Sequence, residues 1–430
     1  MSSIRPSTEI PLPSPPTSPS GSQAPLPRAD GFATRAIHGW GEPDDLTGSI
    51  LTPIVQAATY RQRVPGGPQA HTYSRASNPT VDALERCLGG LESAEPAVAF
   101  ASGLAATHAL ALATLAAGDH AIVGATSYGG TLRLFRETLA PLGIRATFVD
   151  ATELRAVAAA FEPRTRLVLV ETPANPTLEL CDIAAIARVA TAARVRFAVD
   201  NTFLTPTFQR PLDLGADVTL TSTTKWIDGH NATIGGSLVT RDAEFRNRLA
   251  YLRTCVGSIQ SPVQAWLTLQ GVKTLPLRME RHSAVAQRIA SRLEGHPALR
   301  STRYPGLASF PQRALASRQH VGAIGEGHGG IIALDLAGGR AAAVRLARSL
   351  RIVTLAESLG SVESLLTHPA TMTHASVPEG HRVACGIGPG LVRLSVGLES
   401  DVDLLDDLLR GLDGLASRSL VDEEEVARAN

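Results

Sequence analysis

The chain has no surplus of charge, little cysteine and no long apolar run, and each shortage removes a class of function. Forty Lys and Arg side chains balance forty Asp and Glu, which leaves no electrostatic footprint for nucleic acid or for an anionic membrane. The most apolar stretch, around Ala105 to Ala117, is interrupted by His108 and stops at Gly118-Asp119. It is too short to span a bilayer. The four cysteines, Cys87, Cys181, Cys255 and Cys385, lie at least 74 positions apart. That spacing contains no Cys-x-x-Cys metal or redox pair, argues against a disulfide framework, and fits a reducing cytoplasm. Several motifs are missing as well. No P-loop and no Gly-x-Ser-x-Gly elbow occurs, so the corresponding nucleotide and serine-hydrolase chemistries have no support. Gly325, Gly327, Gly329 and Gly330 imitate a dinucleotide loop but precede a strand pattern instead of joining a strand to a helix. His368 and His374 are six apart, the wrong spacing for two ligands on one helical face, and no metal site is expected.

What is present is an ordinary globular composition, 44% hydrophobic and 19% charged over 430 residues, enough for two domains or one large one. Residues 1–30 hold 8 of the 28 prolines and seven serines. Such a segment cannot offset its ordering entropy and reads as a disordered tail, without the apolar stretch that a signal peptide needs. An irregular arm follows at 31–75. Short β-rich runs then begin, at Ala97–Ala101, His120–Gly124, Ala146–Val149, Leu167–Glu171, Arg196–Val199 and Val218–Thr221. Helical patterns such as Thr152–Phe161 and Asp182–Ala193 lie between most of them. This alternation predicts an α/β domain, 76–275, with a large mostly parallel sheet covered on both faces. Beyond it the pattern changes to long helices and then strands at Gly330–Leu336 and Leu391–Val396, which predicts a smaller α+β domain over 276–430.

In α/β sheets ligands gather outside the carboxyl ends of the strands. Three predicted strand ends carry unusual polar residues: Glu171-Thr172-Pro173-Ala174-Asn175-Pro176, Val199-Asp200-Asn201-Thr202 and Ser222-Thr223-Thr224-Lys225-Trp226. An Asp200–Lys225 structural ion pair is one reading. The other is a site for pyridoxal 5′-phosphate (PLP), which needs a lysine amine for a Schiff base and an acid to keep its pyridine nitrogen protonated. Ser102-Gly103-Leu104 opens a helix and offers a phosphate cradle, with Ser222 and Thr224 beside the lysine. Tyr128, in Ser127-Tyr128-Gly129-Gly130, is the ring placed to stack on the cofactor.

Nine collinear motifs then carry a resemblance. YSRASNPT (73–80), FASGLAAT (100–107), YGGT (128–131), ETPANP (171–176), VDNTFLTP (199–206) and STTKWIDGH (222–230) are followed by AESLGSVESL (356–365), HPATMTHASVP (368–378) and LVRLSVGLE (391–399). From about Thr34 to Leu415 the chain resembles the Cys/Met-metabolism PLP enzymes, the family of cystathionine γ-lyase, methionine γ-lyase, cystathionine γ-synthase and the homoserine sulfhydrylases. The resemblance implies PLP fold type I, the aspartate-aminotransferase-like fold, with a seven-stranded-type sheet. It implies that Lys225 and Tyr128 are the catalytic residues, that Lys225 carries the cofactor as a Schiff base, that Asp200 holds the pyridine nitrogen and that Tyr128 also stacks on the ring. Gly103, Leu104, Ser222 and Thr224 would bind the phosphate, while Tyr73 and Arg75 would reach it from a neighbouring subunit. Arg393 would grip the substrate carboxylate, assisted by Asn175 and the Ser358 backbone, and Glu357 would meet the distal ammonium of cystathionine. The implied partners are small amino-acid substrates and further copies of the chain, as a dimer of dimers. The implied reaction is α,γ-elimination of the cystathionine γ-lyase kind, with γ-replacement on an acylated homoserine as the alternative and a non-catalytic PLP-fold protein disfavoured. One departure stands out: Gly229-His230-Asn231-Ala232-Thr233 replaces the commoner Gly-His-Ser-Asp.

Overall fold

The computed structural model describes residues 31–44, 46–67 and 69–429; the tail expected at 1–30 lies outside them. Seven strands form the larger sheet: β1 Val98–Phe100, β2 His120–Gly124, β3 Arg145–Val149, β4 Thr165–Glu171, β5 Arg196–Asp200, β6 Val218–Thr221 and β7 Gly236–Thr240. Their order is β1-β7-β6-β5-β4-β2-β3. The pairs among β2 to β6 are parallel, and β7 runs antiparallel to both neighbours. The parallel arrangement requires crossover connections, and the segments between β2 and β6 carry helices Gly129–Arg133, Leu154–Ala159, Ile183–Ala193 and Thr205–Phe208. Burial follows the strand period. In β4, Leu167 and Leu169 pack into the cluster containing Phe100, Leu110 and Phe135, while Val168 and Val170 join Ile122, Phe197 and Val199 on the other face. Each fully buried side chain of this kind contributes roughly 1.5–3 kcal/mol.

Sequence periodicity finds β2 and β6 to the residue but misses β7. Gly235-Gly236-Ser237 has neither β-branched nor alternating character, and the strand forms because the slot between β1 and β6 takes it. That slot is narrow: a Cβ on Gly236 would lie 2.7 Å from the Gly103 Cα.

A second sheet has the order β12-β13-β14-β11-β8, built from β8 Leu299–Arg303, β11 Ile331–Leu336, β12 Thr354–Leu355, β13 Leu365–Thr367 and β14 Leu391–Ser395. Between β8 and β11 lies a two-stranded ribbon, β9 Val321–Gly322 and β10 Gly325–Glu326. The glycines that imitate a dinucleotide loop therefore sit in this ribbon and just ahead of β11, at a strand and not at a helix start. Helices Gly339–Ser349 and Asp401–Ala429 cover the second sheet, where Leu346, Leu404, Leu408 and Leu412 pack on Leu334, Val392 and Leu394. No helix among the described residues is long and apolar enough to cross a membrane.

Candidate active site

The carboxyl ends of β4, β5 and β6 open into a cavity of about 300 Å³, roofed by residues 357–359 and Arg393 of the second sheet. Lys225 lies in the turn after β6, and its Nζ donates to the Ser358 Oγ at 2.8 Å. Burial, reinforced by the Arg393 charge, pulls the amine down to about 8, with Glu357 opposing. Asp200 ends β5, and its Oδ1 accepts from the Thr202 hydroxyl at 2.5 Å and the Thr202 N–H at 3.0 Å. Burial still raises its carboxyl to about 6. No Asp200–Lys225 ion pair forms, so the structural-pair reading does not hold. The two groups face one cavity instead.

Helix Gly103–Thr114 begins at this cavity, capped by the Ser102 Oγ accepting from the Ala105 N–H at 3.1 Å. Ser222 and Thr224 stand beside that helix start. A Cβ on Gly103 would come within 2.9 Å of the Ser222 Cβ, so only glycine lets the two backbones approach. The arrangement supplies backbone N–H groups, two hydroxyls and the positive end of a helix dipole for an anion such as phosphate. A reactive amine, a buried carboxyl and an anion cradle around one cavity form the donor set that PLP requires. The residues present therefore fit that cofactor.

Arg393, on β14, is buried. Its Nη1 donates to the Asn175 Oδ1 at 2.8 Å, and its Nη2 donates to the Ser358 carbonyl at 2.7 Å and the Thr367 Oγ1 at 3.1 Å. Its Nε has no partner among the described residues. Burial lowers the guanidinium only to about 10, leaving it a fixed cation at neutral pH. Ser358 takes φ +106°, a strained value for a residue with a Cβ, and holds its carbonyl on Arg393 and its hydroxyl on Lys225. Glu357 lines the cavity and remains exposed. Tyr128 also lines it, 41% exposed, at the start of helix Gly129–Arg133.

Of the residues singled out in the sequence, Gly103, Leu104, Tyr128, Asn175, Asp200, Ser222, Thr224, Lys225, Glu357, Ser358 and Arg393 line this one cavity. Tyr73 and Arg75 do not. They lie on the arm, where Arg75 donates to the Thr254 carbonyl at 2.6 Å and its guanidinium sits 5.6 Å from the Tyr73 ring centre. The unusual turn 229–233 also stays outside the lining. Its geometry is set by Asp228, whose carboxylate accepts from the His230 and Ala232 N–H groups and from the Thr233 hydroxyl. His374 is buried and pushed down to about 4 by burial and by Arg393, so it is neutral. Glu171, at the end of β4, is a site residue to which its local sequence assigns no role. In the structure it lines the cavity and accepts the Tyr128 N–H at 2.6 Å.

The model of the family described as Cys/Met metabolism PLP-dependent enzyme matches residues 33–413. Cystathionine gamma-synthase of Mycobacterium tuberculosis is 45% identical over 89% of this chain and 97% of its own length. Cystathionine beta-lyase of Coxiella burnetii is 44% identical over 87% and 96%. The crystal structure of cystathionine gamma-lyase from Lactobacillus plantarum complexed with L-serine superposes with a TM-score of 0.86 at 41% identity, covering 90% of this chain and 99% of that one.

Proposed function

The chain belongs to the Cys/Met-metabolism family of PLP-dependent enzymes, and from that premise we propose that it cleaves cystathionine at Cγ. One molecule of cystathionine and one of water would give cysteine, 2-oxobutyrate and ammonia. The observation that supports cystathionine is Glu357, an exposed carboxylate on the wall of the same cavity as a fixed guanidinium, Arg393. A substrate with a carboxylate and ammonium at each end matches that pair. Lys225 would hold the cofactor covalently, Asp200 would face its pyridine nitrogen, and Ser102-Gly103-Leu104 with Ser222 and Thr224 would receive its phosphate. When bound, PLP supplies an electron sink that acidifies C–H bonds of an attached amino acid. Arg393, held by Asn175 and the Ser358 carbonyl, would fix the substrate's α-carboxylate. The Lys225 amine, lowered by burial, would take the Cα proton, and loss of a Cβ proton would then let the γ-thiolate depart. Ser358 aims that amine through its hydrogen bond to Nζ.

The resemblance to the Mycobacterium tuberculosis synthase favours a second reading, in which cysteine replaces the acyl group of an O-acyl-homoserine at Cγ. The Coxiella burnetii relative adds cleavage at Cβ as an outcome to be distinguished. The test is purified protein with L-cystathionine, and separately with O-succinyl- or O-acetyl-homoserine plus cysteine. Cysteine and 2-oxobutyrate support the proposal; homocysteine and pyruvate, or new cystathionine, overturn it. Glu357→Val should depress cystathionine turnover and spare methionine by comparison, whereas equal losses would make Glu357 structural. The four free cysteines support a reducing compartment, the cytoplasm.

A further inference from the structure

Two carboxyls stand side by side at the floor of the cavity. Glu171 ends β4 and Asp200 ends β5, and the parallel ladder pairs them directly, Glu171 opposite Asp200. Register partners on adjacent strands project to the same face about 4.8 Å apart, and both side chains line the cavity. Like charges that close, shielded from water, do not both ionise. Their partners decide which one keeps its proton. Asp200 receives the Thr202 hydroxyl and the Thr202 N–H on one oxygen, which stabilises an anion. Glu171 is buried and receives one donor, the Tyr128 N–H on Oε2, while its Oε1 has no hydrogen-bond partner among the described residues. The charged groups that bear on Glu171 are Asp200 from β5 and Arg393 from β14. Burial and Asp200 raise its carboxyl well above the usual range, against the Tyr128 N–H and Arg393. Three Arg393 N–H donors go to Asn175, Ser358 and Thr367, and none to Glu171. The rise of Asp200 has burial as its cause.

We propose that Glu171 is a positioning residue that works as a neutral carboxylic acid, anchoring the Tyr128 backbone and leaving the strand-end negative charge to Asp200 alone. The proposal deepens the PLP reading and rests on it for its consequence, since one localised anion beside one held ring is what a pyridinium needs. Infrared difference spectra of the cofactor-free protein, wild type against Glu171→Gln at neutral pH, read the protonation directly. The band lost should be that of a protonated carboxylic acid; loss of carboxylate bands overturns the proposal. With holoenzyme, Glu171→Ala should lower kcat/KM about tenfold by releasing Tyr128. Glu171→Gln, which can still accept the Tyr128 N–H, should recover most of that loss with the acid limb of the pH profile unmoved. A Gln variant as impaired as Ala, with both folded by circular dichroism, removes the anchoring role. An acid limb displaced by more than about one pH unit shows that a charge was deleted. Titration of wild-type apoprotein with PLP checks the underlying reading separately, because the infrared result does not depend on it.

Discussion

At the scale of single residues, burial and spacing do most of the chemistry. The Lys225 amine falls to about 8 because burial penalises its charge and Arg393 repels it. Attachment of a carbonyl cofactor uses the unprotonated amine, so apoprotein should take up PLP about tenfold faster at pH 9 than at pH 7, levelling off above. An ordinary lysine would give about a hundredfold rise over the same span with no plateau. Stopped-flow absorbance measures the difference. Arg393 offers a second test, since it holds three acceptors with a planar fork that an ammonium cannot reproduce. Arg393→Lys should cost about 1.5–3 kcal/mol in transition-state binding, roughly tenfold to a hundredfold in kcat/KM. An unchanged value would mean that the carboxylate binds elsewhere.

At the scale of elements, the site depends on the segment before β13 docking onto the turn after β6. Gly360 is the contact point. It takes φ +81°, a Cβ there would lie 2.7 Å from the Trp226 N, and its N–H donates to the Ser395 Oγ at 2.9 Å. Two residues on, the Val362 N–H donates to the Gly229 carbonyl at 2.9 Å. Gly360→Ala should destabilise by about 1–2 kcal/mol from the left-handed backbone alone. The clash with Trp226 should also lift Ser358 away from Lys225 and slow PLP attachment. A variant with the wild-type urea midpoint and attachment rate would show that the loop relaxes freely.

At the scale of the whole molecule, one expected part of the site is missing from the chain's own cavity. Tyr73 is 47% exposed, and Leu46, Ile50 and Val64 of the same arm are 91%, 77% and 61% exposed. These exposed apolar side chains, together with a Tyr73 and an Arg75 that stay out of their own cavity, lead us to propose that the arm packs on a second copy, whose phosphate cradle Tyr73 and Arg75 would complete. Arg75→Ala and Lys225→Ala should each be nearly inactive, while co-refolded hybrids regain activity because one site per mixed dimer holds both intact residues. Mixed hybrids as inactive as their parents would assign each site to a single chain.

The sequence by itself determined the family, the cofactor chemistry and most of the residues on the cavity wall. Those properties reside in local text: a lysine two residues after Thr223, an aspartate closing an Ala198-Val199 run, a glycine opening a helix. Strands β2 and β6 were equally legible, because buried β-rich runs bounded by turn residues are local signals. The tertiary structure alone decided where β7 lies, that Arg393 is held by Asn175, Ser358 and Thr367, and that the 229–233 turn stays off the cavity wall. It also decided what Glu171 faces. Residues 171 and 200 become neighbours only through the parallel ladder of β4 and β5. A carboxyl's protonation depends on what stands within a few ångströms of it, and sequence separation carries no record of that distance.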